Sequence, residues 1–246
     1  MTENEELVVC VGEGGDEEEA RILSERLGVR LSLSQGENLT VRVDGDGIAL
    51  VGFGLTFRGD FEQMLRRVGH GHLQHEMLAH AAKTKADRPS AIDATAGMGE
   101  DSLILAACGY EVTMYEKNAV IAALLRDTMK RAEKNPELSE IVGRMHLEES
   151  DSINGLSELK EKPELIYLDP MFPKRRKSGL INKKLQLMQK LEQPCCNEIE
   201  LLETALEVRP KKIVIKRPLK GTYLAGKEPD YSIEGKAIRY DCFMFP

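Results

Sequence analysis

The chain has 246 residues, 41% of them apolar and 30% charged, which is material for one large α/β domain or a medium domain with an appendage. No apolar run approaches the roughly 18 residues that span a bilayer, and the acidic opening MTENEELVVC is unlike a basic secretory leader. Five cysteines without CxxC spacing exclude a zinc ribbon or disulfide frame and fit a reduced, cytoplasmic protein, while a net charge of −7 weighs against a uniformly nucleic-acid-binding surface.

The first 65 residues predict a small α/β domain. LVVCV (7–11) reads as a strand, Asp16 to Gly28 as a capped helix, and VRVDGDGIALVGF as a hairpin turning at Asp44-Gly45-Asp46-Gly47. FEQMLRR and HLQHEMLAHAAK carry helical spacing and lead into a second domain, residues 66–246. There the spacing predicts strands at 91–95, 111–116, 145–149, 165–169 and 212–216. Helices are predicted near 100–108, 118–134, 151–159 and 183–207. Strands alternating with helices predict a Rossmann-like, mostly parallel sheet covered on both faces. YSIEG and AIRYDCFMF (237–245), a turn apart, predict an antiparallel hairpin closing it.

Asp93-Ala94-Thr95-Ala96-Gly97-Met98-Gly99 lies where the first of these strands meets a helix. Gly97 and Gly99 allow close ligand approach, and the helix start offers unpaired N–H groups. A dinucleotide or a purely structural turn would use the same device. The third dinucleotide glycine is replaced by Ser102, and Asp93 is placed to accept a hydrogen bond from the ammonium of S-adenosylmethionine. Glu116, at the end of the second strand, is suited to a ribose diol in either cofactor.

Asp169-Pro170-Met171-Phe172-Pro173 follows the strand LIYL. Its two prolines stiffen the turn. A carboxylate on Asp169 and the Pro170 carbonyl would accept the two hydrogens of an exocyclic base amine, with Phe172 as a stacking face. Accepting those hydrogens localises the nitrogen lone pair toward a sulfonium methyl, so positioning and acceptor dipoles supply the catalysis without a metal. Lys174, Arg175, Arg176, Lys177, Lys183 and Lys184 follow; such a run is often a solvated surface, but here it suits phosphates flanking a target nucleotide. Lys211, Lys212, Lys216, Arg217 and Lys220 are candidates to extend that rim. His70, His72, His75 and His80 do not converge on one helical face, so no metal site is expected.

DATAGMGEDS, YEKNAVIAALLRD, IYLDPMFPKRRKSGLINKK and VIKRP closely resemble the ribosomal small subunit methyltransferase J family, as does GLTFRGDFEQMLRR upstream. The resemblance implies a class I S-adenosylmethionine-dependent methyltransferase acting on the N2 amine of a guanosine near the 3′ end of 16S rRNA. It implies cofactor contacts at Glu100, Asp101, Glu116, Lys117, Ser150, Asp151 and Asp169. At Glu100 and Asp151 the family more often carries a basic residue and a serine. It further implies the small ribosomal subunit as partner, with the enzyme expected to act as a monomer. Two alternatives stand beside it: an adenine-N6 methyltransferase on DNA or RNA, because DPMFP resembles the (D/N)PP(Y/F) motif, and an inactive RNA-binding assembly factor.

Overall fold

The computed structural model describes residues 7–35, 39–69, 71–170, 187, 191 and 197–246. They belong to two compact units, each built on its own sheet.

One unit takes in the residues before Phe61 together with Asn118–Arg131. Its elements are β1 (Val8–Val11), α1 (Glu17–Leu27), β2 (Leu31–Ser32), β3 (Thr40–Asp44), β4 (Gly47–Gly52) and β5 (Leu55–Phe57). The sheet order is β2-β1-β3-β4-β5, with β1 parallel to both neighbours and the β3-β4-β5 run antiparallel. The β1–α1–β2 crossover is set by a strong cap. The Asp16 carboxylate accepts from the Glu18 and Glu19 N–H groups, and Gly28 closes the helix in the left-handed region. The Asp-Gly-Asp-Gly turn joins β3 to β4, where Asp44 pairs with Gly47. Val8, Val9, Val41, Val43, Ala49 and Leu50 are all buried, the consecutive pairs Val8–Val9 and Ala49–Leu50 each placing one side chain on either face of the sheet. The helix Ala119–Ala132, α5 in chain order, is capped by Asn118 Oδ1, which accepts from Val120 N at 3.0 Å and Ile121 N at 3.2 Å.

The second unit opens with a 3₁₀ turn at Phe61–Met64, α2 (Leu65–Val68), another 3₁₀ turn at Leu73–His75, and α3 (Met77–Ala81). Then come β6 (Ser90–Asp93), α4 (Glu100–Ala107), β7 (Glu111–Tyr115), α6 (Ser139–Val142), β8 (Met145–Glu148), α7 (Ser152–Ser157) and β9 (Leu165–Leu168). After them lie α8 (Glu198–Val208), β10 (Lys212–Pro218), β11 (Tyr231–Glu234) and β12 (Ile238–Met244). The seven strands run β11-β12-β10-β9-β6-β7-β8. Strands β8, β7, β6, β9 and β10 are parallel neighbours, and β12 is antiparallel to both β10 and β11. This is the expected class I arrangement, a Rossmann-like parallel sheet with a C-terminal antiparallel hairpin.

Parallel strands covered on both faces should be apolar throughout, and all four residues of β9 are buried. Ile92, Ile166, Leu168, Ile213 and Ile215 pack with Leu156 of α7 and Leu201, Leu202 and Ala205 of α8 in one core. In α4, Leu103, Ile104, Leu105 and Ala106 are all fully buried, so this helix is sheathed on every side. Two details differ from expectation. Of the helix predicted over 183–207, Glu198–Val208 is helical and most of 183–196 lies outside the described residues; Asn197, which precedes Glu198, makes no side-chain capping hydrogen bond. The strand predicted at 91–95 stops at Asp93, because Ala94 and Thr95 already belong to the glycine turn. Among the described residues, no helix is long and apolar enough to cross a membrane.

Candidate active site

From β6 the chain winds outward through β7 to β8, then returns to add β9 on the other side of β6. The carboxyl ends of β6 and β9 therefore flank a topological switch point, where open α/β sheets bind their ligands. The glycine turn and Asp169-Pro170, the described start of the second predicted loop, meet there. Asp93 pairs with Tyr167 across the two strands, and Ala94 N donates to the Tyr167 carbonyl at 3.1 Å. Beyond the strand ends, Asp169 N donates to Thr95 Oγ1 at 2.7 Å, fastening the Asp-Pro turn to the glycine turn. Pro170 is buried behind it.

The glycine turn is held from three sides. Ala96 N donates to the Tyr115 carbonyl at 3.2 Å, Gly97 N to Glu116 Oε2 at 3.1 Å, and Gly99 N to the Ala96 carbonyl at 2.8 Å. Gly97 and Gly99 sit at φ 53 and 72, which glycine adopts without strain. Among the described residues, the only atom a Cβ on Gly97 would approach is the Thr95 carbonyl oxygen, 4.0 Å away, so the missing side chain leaves room for a ligand. Gly99 also starts α4, and the acidic Glu100 and Asp101 fill its first turn.

Asp93, expected to meet a ligand ammonium, lies recessed beneath the turn. It is 1% exposed, and both carboxylate oxygens are turned onto its own loop. Oδ1 accepts from Thr95 N at 3.0 Å and Oδ2 from Ser102 Oγ at 2.5 Å. Burial pushes its pKa up to about 7 against the pull of the Ser102 and Thr95 hydrogen bonds. In this arrangement the Asp93 carboxylate shapes the turn through its bonds to Thr95 and Ser102.

Glu116 follows β7 directly and is almost buried, at 8% exposure, against the glycine turn. Its neighbour Lys117 is exposed and reaches Asp151 Oδ2 at 3.6 Å. Asp151 caps α7 by accepting from Ile153 N at 2.9 Å, with Ser150 exposed just before it. Glu116, Lys117, Ser150 and Asp151 thus line the carboxyl ends of β7 and β8, on the same rim as the glycine turn.

Asp101 and Asp169 converge on a residue that the sequence placed among rim cations. Lys216 Nζ lies 2.7 Å from Asp101 Oδ2 and 2.9 Å from Asp169 Oδ2. Asp101 Oδ2 also accepts the Tyr167 hydroxyl at 2.6 Å. About a third of the Asp169 side chain reaches solvent. Burial raises the Asp169 pKa, and the Lys216 ammonium pulls against that rise. For Lys216, burial disfavours the charge, but the two carboxylates together hold the ammonium well above its usual pKa.

Lys212 and Arg217 are likewise turned inward. Lys212 Nζ donates to the Ala81 and Lys83 carbonyls, and the Arg217 guanidinium to the Thr222 carbonyl. The signal for Lys216 lay only in tertiary register, where parallel pairing of Ile215 with Leu168 sets it beside Asp169. Phe172, Lys174, Arg175, Arg176, Lys177, Lys183 and Lys184 lie outside the described residues.

The donor set suits S-adenosylmethionine. A recessed carboxylate at Glu116 borders the glycine turn, the side-chain-free turn admits a close ligand, and a carboxylate at the β9 end lies within one hydrogen bond of that turn. Residues 48–245 match the family model "Putative SAM-dependent methyltransferase". The chain is 36% identical over 241 residues to the ribosomal RNA small subunit methyltransferase J of Thioalkalivibrio sulfidiphilus, covering 92% of this chain and 94% of that one. It is 37% identical over 239 residues to the protein of the same name from Pseudomonas aeruginosa, covering 93% and 91%. Its fold is similar to the crystal structure of the SAM-dependent methyltransferase NGO1261 from Neisseria gonorrhoeae, with a TM-score of 0.69, 28% identity and 96% of each chain covered.

Proposed function

Since the chain belongs to the ribosomal RNA small subunit methyltransferase J family of SAM-dependent enzymes, we propose that it methylates the exocyclic N2 of a guanosine near the 3′ end of 16S rRNA, in the cytoplasm. The bound cofactor supplies an electrophilic methyl group on a sulfonium. Glu116 holds the ribose end, and the Gly97–Gly99 turn lets the backbone approach. Lys117, Ser150 and Asp151 border the base end.

On the substrate side, the Asp169 carboxylate and the Pro170 carbonyl accept the two amine hydrogens. A guanine N2 lone pair is delocalised into the ring; engaging both hydrogens localises it and aims it along the methyl–sulfur axis. With the methyl passing from sulfur to nitrogen and the sulfonium leaving as a neutral thioether, positive charge would develop on nitrogen beside the Asp169 carboxylate, which would stabilise it and is placed to accept the departing proton. Phe172 provides the stacking face and the Lys174–Lys184 run the phosphate contacts.

The observation that carries this reading is the 2.7 Å hydrogen bond from Asp169 N to Thr95 Oγ1, which joins the amine-binding turn to the cofactor turn. The test is Asp169→Asn assayed on 16S rRNA, or on small subunits lacking the modification, with the product nucleoside identified by mass spectrometry. Methyl transfer should fall by a factor on the order of 100 or more, with cofactor affinity within about tenfold. Retained turnover would remove Asp169 from the chemistry, and an N6-methyladenosine product would replace guanine by adenine.

A further inference from the structure

Lys216 joins two carboxylates that come from different halves of the site. Asp101 stands in the first turn of α4, directly after the cofactor turn, and Asp169 begins the Asp-Pro turn after β9. Their Oδ2 atoms meet the same ammonium at 2.7 Å and 2.9 Å. Asp101 is additionally fixed by the Tyr167 hydroxyl, whose ring belongs to the buried strand beside β6. The linked side chains run Tyr167, Asp101, Lys216, Asp169. The series is buried at its Tyr167 end and opens to water toward Asp169, with side-chain exposure rising from 17% at Asp101 to 34% at Asp169.

We propose that Lys216 is a positioning residue for methyl transfer: its ammonium clamps Asp169 to Asp101 and so fixes which carboxylate edge meets the substrate amine. The inference rests on the reading of Asp169 as the amine acceptor. Without the cation, two carboxylates sharing one recess repel, and the one less firmly tied moves. Asp101 has Tyr167; Asp169 has, among the described residues, its backbone tie to Thr95, which anchors the peptide, while Arg217 acts on the carboxylate through its charge. The clamp also has an acid–base consequence. Burial lifts the Asp169 carboxyl toward protonation and Lys216 opposes that, so the ammonium keeps Asp169 an acceptor as pH falls.

The test compares Lys216→Met, Lys216→Gln and Lys216→Arg in the full-length protein, on small subunits lacking the modification, with rates followed across pH. Loss of the ammonium should lower kcat about 100-fold with the rRNA KM and the S-adenosylmethionine Kd within about threefold. The acid limb of kcat should move up in Met and Gln, because burial and the Asp101 carboxylate both raise the Asp169 pKa and, with Lys216 gone, only the weaker charge of Arg217 opposes them. Lys216→Arg, which keeps the charge, should restore the limb toward its original position. An unchanged kcat and acid limb in Met and Gln would overturn the inference. So would failure of both uncharged variants to fold, judged by melting and cofactor calorimetry, since Lys216 would then be a folding residue. If Asp169→Asn is inactive while Lys216→Met matches the original protein, the clamp falls and the amine-acceptor reading stands. If Asp169→Asn is active, it is the reading of Asp169 that fails.

Discussion

At 1% exposure the Asp93 carboxylate has little water to stabilise its charge, and two hydrogen bonds from Thr95 and Ser102 only partly replace it. Its pKa in the fold is about 7, raised above that of an unfolded aspartate near 3.9. The sign follows from proton counting. Between those values the folded state binds more protons than the unfolded state, so the contribution to stability is full below about pH 4 and is lost as pH rises through 7. Asp93→Asn, neutral throughout, should flatten the stability profile in that window. Melting temperatures of the two proteins from pH 4.5 to 8 check it; parallel curves would mean that Asp93 is ionised at no cost. The residue type was legible in the sequence but its role was not, because DATAGMG shows an acid before the glycines and says nothing about Ser102 turning back onto it. Asp101 and Lys216 illustrate the same limit. They stand 115 positions apart and meet only through the folded sheet.

Among the elements, those with strong local signals were readable. The DGDG hairpin, the alternation from β6 to β10 and the terminal hairpin each rest on turn chemistry or apolar runs, and each forms near its predicted place. The two-residue β2 and three-residue β5 were not readable: Leu31 is exposed, so no buried periodicity marks it. The junction of β7 and α7 shows how closely the cofactor rim is packed. A Cβ built on Gly155 would lie 2.3 to 2.6 Å from Tyr115 ring atoms, immediately before Glu116. Gly155→Ala should therefore cost about 1–3 kcal/mol through overpacking and displace the Tyr115–Glu116 segment. Calorimetry should record a lower melting temperature together with weaker S-adenosylmethionine binding. An unaltered cofactor affinity would show that α7 yields instead of β7.

For the molecule as a whole, a net charge of −7 must be reconciled with an RNA substrate by distribution and not by sum. On the proposed reading the run from Lys174 to Lys184 would supply the cations, since Lys212, Lys216 and Arg217 are committed to internal partners. Arg175→Ala with Arg176→Ala should reduce the slope of log affinity for 16S rRNA against log salt by roughly two, about one for each phosphate left without its arginine. Filter binding at several salt concentrations measures it, and an unchanged slope would put the RNA surface elsewhere. The order of the large sheet has its own bearing on biogenesis. Strand β12 is threaded between β10 and β11, both made before it, and carries Arg239, whose Nη1 gathers the Pro218, Leu219 and Gly221 carbonyls. A nascent chain halted before Arg239 has an open β10 flank and a slack segment just past Lys216, so the catalytic floor is finished only when the ribosome delivers a strand that must slot in behind its predecessors.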